Sequence, residues 1–327
     1  MVNFWRTLSL QPKPFLVLAP MDGVTDYVFR DIIAGIAKPD VFFTEFTNVD
    51  ALLSKGYEKT IPRLKYSERQ RPIVAQIWGR EPKNFYTVAG LIKNLGFDGI
   101  DINMGCPDRA VMKLGSGASF IDNPRLAAEI IAATKDGAAG LPVSVKTRIG
   151  VRDVKTDTWI RFLLEQHINA LTVHGRTASE LSNVPARWEE IEKSVKLRDH
   201  IHPTTAMIGN GDIMNQQQAQ HVHTAYRMDG VMIGKGIFIN PWVFERIPKA
   251  HTAAESLELL LAHAKLYSDT YPGERRFAAM RKYFKIYVRS FYGASTLLKE
   301  LMKTKDFAEV ARLVKPHMEG VLTRGER

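Results

Sequence analysis

The chain has 327 residues, 45% hydrophobic and 24% charged, with a formal net charge of +10, a balance that fits a soluble globular enzyme with a large core. No apolar run reaches the length of a membrane span, and the one cysteine, Cys106, excludes an internal disulfide and a cysteine-built zinc or iron–sulfur site. The basic excess favours a polyanionic partner such as nucleic acid. The first six residues carry no signal-peptide core, so the expected compartment is the cytoplasm, and a monomer with no membrane and no metal partner is expected.

Eight short apolar, β-branched runs follow in chain order, at 15–21, 41–46, 73–78, 99–103, 143–148, 170–173, 206–209 and 230–233. Between most of them lie stretches with helical spacing, among them 82–95, 124–134, 158–166 and 216–226. Strand and helix thus alternate about eight times, which predicts an α/β fold of the (β/α)8 TIM-barrel class. The runs are continuous rather than alternating, as parallel strands covered on both faces require. An open doubly wound sheet is the competing fold, but no Gly-x-Gly-x-x-Gly turn follows the first strand. From about residue 248 the rhythm stops. Phe277, Met280, Phe284, Tyr287 and Phe291 recur at helical spacing after a Tyr271-Pro-Gly273 break. The expected organisation is a barrel over 1–247 and a small all-helical domain over 248–327.

In a barrel of this kind the active site lies at the C-terminal ends of the strands. Pro20, Met21 and Asp22 stand there after the first run, Glu45 at the second, Gln76 at the third, and Asn103 and Cys106 at the fourth. Lys146 and Arg148 stand on the fifth, His174 and Arg176 at the sixth, Asn210, Gly211 and Asp212 at the seventh, and Gly234-Lys235-Gly236 at the eighth. Lys146 lies in an otherwise apolar strand, so an anionic or electron-rich partner is expected beside it. The glycines at 209, 211, 234 and 236 allow backbone N–H groups to approach a phosphate. Cys106 precedes a proline on a strand-end loop, where a thiol meets a substrate; alternatively it packs as a small hydrophobe.

These residues resemble the tRNA-dihydrouridine synthases. The resemblance runs from Leu18-Ala-Pro-Met-Asp-Gly-Val-Thr-Asp26 to Val231-Met-Ile-Gly234 and is most specific in Asp101-Ile-Asn-Met-Gly-Cys-Pro-Asp-Arg-Ala-Val111 and Gly115-Ser-Gly-Ala118. It implies a barrel that binds FMN and a C-terminal helical domain that grips tRNA. It implies too a reaction in which NADPH reduces the flavin, hydride passes to C6 of a uridine, and a protein acid protonates C5. On that resemblance Cys106 is the proton donor, and its thiol must stay protonated at neutral pH. Lys146 would contact the flavin and stabilise its reduced form, and Gln76 would hydrogen-bond its pyrimidine edge. His174 would serve the phosphate or flavin, and Pro20, Met21 and Asp22 would lie along the ring. Asn210, Gly211, Asp212, Gly234 and Lys235 would cradle the phosphate; the family commonly has Gly-Arg where this chain has Gly234-Lys235, which keeps the charge and loses the bidentate fork. Asn103 would meet the uracil edge, with Glu45 and Arg176 as further substrate-side candidates.

Residues 246–327 hold 16 Lys or Arg against 9 Asp or Glu, so most of the net charge lies in the tail. Within 275–291, Lys282, Lys285 and Arg289 are expected to share one helical face and contact RNA phosphates. Three other readings stay open at this point. One is a flavin barrel acting on a free pyrimidine, resembling dihydroorotate dehydrogenase. Another is a lyase with Lys146 as a Schiff base. The third is a non-catalytic RNA-binding protein.

Overall fold

The structure, a computed structural model, describes residues 3–11 and 14–322, so the end of the expected tail, 323–327, lies outside the described residues. Every expected strand forms: β1 (Phe15–Leu18), β2 (Phe42–Phe43), β3 (Thr47–Asn48), β4 (Ile73–Trp78), β5 (Gly99–Met104), β6 (Val143–Arg148), β7 (Ala170–His174), β8 (Ala206–Asn210) and β9 (Gly230–Ile233). The pairings are parallel in the order β1-β9-β8-β7-β6-β5-β4-β2, and a Val17–Val41 bridge closes the circle. The chain is therefore a (β/α)8 barrel, as its rhythm predicts.

The second barrel strand departs from the continuous run expected over 41–46. β2 pairs with Ile73 and Val74, and β3 pairs with Ile77 and Trp78. One extra residue is thus accommodated between them, a bulge at Thr44–Phe46. Side chains hold it open. The Gln76 N–H donates to the Thr44 hydroxyl (3.1 Å), and the Thr44 and Thr47 hydroxyls both donate to the Glu45 carbonyl (3.0 and 3.2 Å).

Strand parity builds the site. Side chains two apart share a face. Ile100, Ile102, Val143, Val145, Leu171 and Val173 belong to the core under the helices. Phe15, Val17, Phe43, Val74, Ala170, Ala206, Ile208 and Met232 form a second cluster, the barrel interior, with Trp5 of the Phe4–Ser9 helix among them. Continuing the inward parity along each strand leads to Gln76, Asp101 and Asn103, Ser144, Lys146 and Arg148, His174, and Asn210. The interior is apolar at one end and polar at the other.

From Ala253 onward the described residues form helices and turns. The Ala253–Thr270 helix begins with a capping box, in which Thr252 Oγ1 accepts from the Glu255 N–H (3.1 Å) while Glu255 accepts from the Thr252 N–H (2.7 Å). Its buried face, Leu257, Leu260, His263, Ala264 and Tyr267, belongs to the same core as the barrel helices. Tyr283 ties the tail to the barrel: its hydroxyl donates to the Val24 carbonyl (2.7 Å) and its ring stacks on Phe29 at 5.3 Å. The expected helix through 277–291 is broken into Glu274–Phe277, a 3-10 stretch Ala278–Tyr283, and Phe284–Tyr287. Phe277, Met280 and Tyr283 are all buried and spaced by three, the period of a 3-10 helix. Among the described residues no helix is long and apolar enough to cross a membrane.

Candidate active site

A cavity of about 400 Å³ opens at the C-terminal ends of the strands. Its wall takes Pro20 and Met21 from the β1 loop, Pro107 from the β5 loop, Lys146 and Arg148 from β6, and His174 and Arg176 from β7. Asn210, Gly211 and Asp212 come from β8, and Gly234 and Lys235 from β9. One cavity thus gathers Pro20, Met21, Lys146, His174, Arg176, Asn210, Gly211, Asp212, Gly234 and Lys235 from the sequence reading.

Lys146 forms no ion pair among the described residues. Burial, aided by the neighbouring Arg148 charge, pushes its ammonium down to about 8, against the pull of Asp101 and Cys106. The Cys106 thiol is pushed up, first by burial; the Asp108 backbone N–H and the Arg148 and Lys146 charges pull the other way. It is therefore a protonated thiol at neutral pH. Its loop is packed tightly: Gly117, at φ +62°, has no room for a Cβ, which would stand 2.7 Å from the Cys106 carbonyl oxygen.

His174 is held neutral, its pKa well lowered by burial and then by Arg148, Lys146 and Arg176. Its Nε2 lies 3.2 Å from Arg176 Nη1. A guanidinium only donates, so Nε2 accepts and the ring proton sits on Nδ1. The β8 and β9 turns leave backbone near the cavity. A Cβ on Gly234 would stand 3.5 Å from the Ala19 Cβ and 3.9 Å from Met21 Sδ, two lining residues, and so would occupy cavity space. Lys235 Nζ donates to the Ser182 hydroxyl (2.9 Å), which places its charge at the mouth.

Other expected residues stand elsewhere or are engaged otherwise. Arg176 and Asp212 face each other: the guanidinium donates to both carboxylate oxygens at 2.5 Å, and Asp212 also accepts from the Ala186 N–H (2.8 Å). Arg176 is thus on the cavity wall, and the pair shapes the turn. Gln76 is fully buried under the cavity, its amide spent on Asp101 and Asn103 (2.7 and 3.2 Å). Asn103 accepts from the Gly105 and Cys106 N–H groups (3.1 and 2.9 Å) and is 6% exposed. Glu45 accepts from the Gly23 N–H (2.7 Å), and Asp22 is paired with Arg63 (2.5 Å). Both line up with the β1 turn and not with the cavity wall.

Arg289 is a correction to the expected basic face. The Phe284–Tyr287 helix ends at Val288, so Arg289 lies past it. Its guanidinium donates to the carbonyls of Ile286, Ile239 and Lys285 (3.1, 2.9 and 2.9 Å) and of Phe238. Lys282 and Lys285 remain exposed. Arg148, to which the sequence reading gave no role, lines the cavity and donates to the carbonyls of Gly105, Thr177 and Leu181 (2.9, 3.0 and 3.0 Å). Its inward parity with Lys146 was the signal that could have found it.

The fold and the strand-end cavity define a barrel enzyme, and comparison with known proteins gives its family. The dihydrouridine synthase (Dus) family matches residues 17–321, and the chain belongs to it. It is 46% identical over 315 residues to the probable tRNA-dihydrouridine synthase of Staphylococcus aureus (strain COL), covering 95% of this chain and 94% of that one. It is also 46% identical to the probable tRNA-dihydrouridine synthase 2 of Bacillus subtilis (strain 168), covering 95% of each chain. Among solved structures, morphinone reductase superposes with a TM-score of 0.52 at 13% identity, over 73% of this chain and 87% of that one, a likeness of fold.

Proposed function

We propose that this chain is a tRNA-dihydrouridine synthase that uses FMN and NADPH to reduce the C5–C6 double bond of a uridine in tRNA. The observation that carries the reading is the half-buried Cys106 thiol, its pKa raised, on the rim beside the Lys146 cavity, in a chain of the dihydrouridine synthase family. The cavity fits the cofactor: about 400 Å³ lies in the range of small-ligand sites, and Lys146, Lys235 and the His174 Nδ1–H give it the cations and donors that a phosphate and an electron-rich ring need.

When bound, FMN supplies the hydride that the uracil ring receives at C6. The chain supplies position, charge and a proton. Lys146 and Arg148 set a positive field on the inward wall. His174, locked by Arg176 with its proton on Nδ1, is a neutral donor, and Lys235 would hold the cofactor's phosphate. Gly211 and Gly234 let backbone come close. Cys106 donates its Sγ proton to C5, for which a raised thiol pKa suits the task. Asn103 and Gln76 support the thiol loop from below, and Glu45 and Asp22 with Arg63 hold the β1 turn that carries Pro20 and Met21. The target uridine must leave its stack to enter the site. Residues 1–247 form the catalytic barrel and 248–327 the tRNA-binding domain, with Lys282 and Lys285 on phosphates, in a monomer of the cytoplasm.

Family membership sets aside the free-pyrimidine, Schiff-base and non-catalytic readings. The test is direct. The purified chain should be yellow, and expression in a strain lacking dihydrouridine should restore it to tRNA. Cys106→Ala should retain flavin and its reduction by NADPH while losing on the order of 10²–10⁴ in uridine reduction, the usual worth of a positioned acid. Normal dihydrouridine formation by that variant would remove Cys106 from the reaction.

A further inference from the structure

The barrel interior below the cavity holds a line of hydrogen bonds that all run one way. The Cys106 and Gly105 N–H groups donate to Asn103 Oδ1 (2.9 and 3.1 Å), Asn103 Nδ2 donates to Gln76 Oε1 (3.2 Å), and Gln76 Nε2 donates to Asp101 Oδ2 (2.7 Å). On its other side Asp101 Oδ1 accepts from the Ser144 hydroxyl (2.6 Å). Asp101, Gln76, Asn103 and Ser144 are all buried. A side-chain amide has a donor end and an acceptor end, so it passes polarity along the line. An ionised carboxylate only accepts, so it fixes which end of each amide points where. The groups facing Asp101 are Ser144 and Lys146 from β6 and Gln76 from β4, with Asn103 beyond on its own strand.

We propose that Asp101 is a positioning residue of the reaction: its carboxylate orients the Gln76 and Asn103 amides, and through them holds the Cys106 thiol in place. Asp101 does not line the cavity; it acts on Cys106 through Gln76 and Asn103. The inference rests on the proposed function for the word reaction, and on geometry alone for the relay.

The relay has a polarity that substitution can reverse. Asp101→Asn keeps it, because the new amide can accept from Gln76 and donate to the Ser144 hydroxyl. Asn103→Asp breaks it, because Gln76 then lies between two carboxylates and its oxygen must face one of them. The double variant restores it in reverse: Asn at 101 donates to Gln76 Oε1, and Gln76 Nε2 donates to Asp at 103, which still accepts from Cys106. The urea midpoints of the purified full chain should therefore fall in N103D and recover in D101N/N103D. Uridine reduction at saturating tRNA should fall roughly tenfold or more in N103D, as small misplacements of reacting groups do, and recover in the double variant. Reduction of the flavin by NADPH needs no thiol, and it should be the same in the wild type and the double variant, which each set one carboxylate against Lys146. A lost uracil contact at Asn103 predicts no such recovery, so a double variant as impaired as N103D would overturn the relay. A colourless wild-type chain that forms no dihydrouridine would overturn the proposed function; the midpoint cycle, which needs neither substrate nor cofactor, would still decide the relay.

Discussion

The proposed reaction leans on two side chains, and burial favours the neutral form of each. The Cys106 thiol is pushed up and kept protonated, whereas the Lys146 ammonium is pushed down to about 8. The sign for Lys146 follows from linkage. Its folded-state pKa lies below the unfolded value, so the buried cation opposes folding in full below pH 8, and the penalty fades as pH rises toward the unfolded value. Lys146→Met should therefore stabilise the flavin-free chain at pH 7 by on the order of 2 kcal/mol, after allowance for partial exposure, with the gain shrinking at pH 9.5. Urea denaturation at the two pH values checks it. The same cation attracts an anionic cofactor only while charged, so FMN affinity should drop between pH 7 and 9 in the wild type and stay flat in the variant. The sequence showed both residues plainly, one as the sole thiol and the other as a cation inside an apolar strand. It could not show which rim polar groups serve each other. Arg176 and Asp212 read as ligands from position alone, and the structure adds that they pair with each other at 2.5 Å on the cavity wall. Strand parity was legible in principle: Val143 and Val145 alternate with Ser144 and Lys146.

At the scale of elements, continuous apolar runs were enough to place the strands, because both faces of a parallel barrel are covered. The bulge at Thr44–Phe46 was not legible, since it depends on hydroxyls bonding backbone groups across strands. The helix expected through 277–291 failed for a related reason: a spacing of three among the first buried residues suits a 3-10 turn, and a helical pattern read over the whole segment averages that away. The glycine turns were marked by sequence, and the structure separates their duties. Gly211 sits at φ +139°, and a Cβ there would lie 2.5 Å from the Ala186 Cβ. Gly211→Ala should cost about 2 kcal/mol through backbone strain and a displaced loop, seen as a lower urea midpoint together with lost flavin. Gly234→Ala meets Ala19 and Met21 only at ordinary contact distance, so it should leave the midpoint unchanged and weaken FMN by filling its space. Equal midpoints for the two variants would contradict this division.

For the whole molecule the question is how an enzyme with a small cavity commands a large polyanion. The net charge of the chain is concentrated in its last quarter, and that quarter is bolted to the barrel where Tyr283 meets the Val24 carbonyl and Phe29, a few residues past the Pro20–Met21 wall. In the proposed function this junction would let phosphate contacts on the tail set the distance from the tRNA backbone to the cavity. The basic residues of this segment then fall into two groups. Lys282 and Lys285 are exposed, Lys282 with its Nζ over the Tyr283 ring at 4.8 Å, whereas Arg289 spends its donors on carbonyls of Lys285 and Ile286 and of Phe238 and Ile239. Lys282→Ala and Lys285→Ala should each weaken tRNA binding at low salt and flatten the slope of log K against log salt by roughly one contact, with the unfolding midpoint unchanged in Lys285→Ala and only slightly lower in Lys282→Ala, which loses a contact with the Tyr283 ring. Arg289→Ala should do the reverse, lowering the midpoint by removing the guanidinium bonds that link Phe238 and Ile239 to the Phe284–Tyr287 helix, while changing the slope little. Filter binding from low to high salt, read beside thermal melts of the three variants, separates the groups. A salt slope unchanged by both lysine substitutions would move the tRNA contact off this face, and the junction at Tyr283 would then have to orient some other basic surface of the tail toward the cavity.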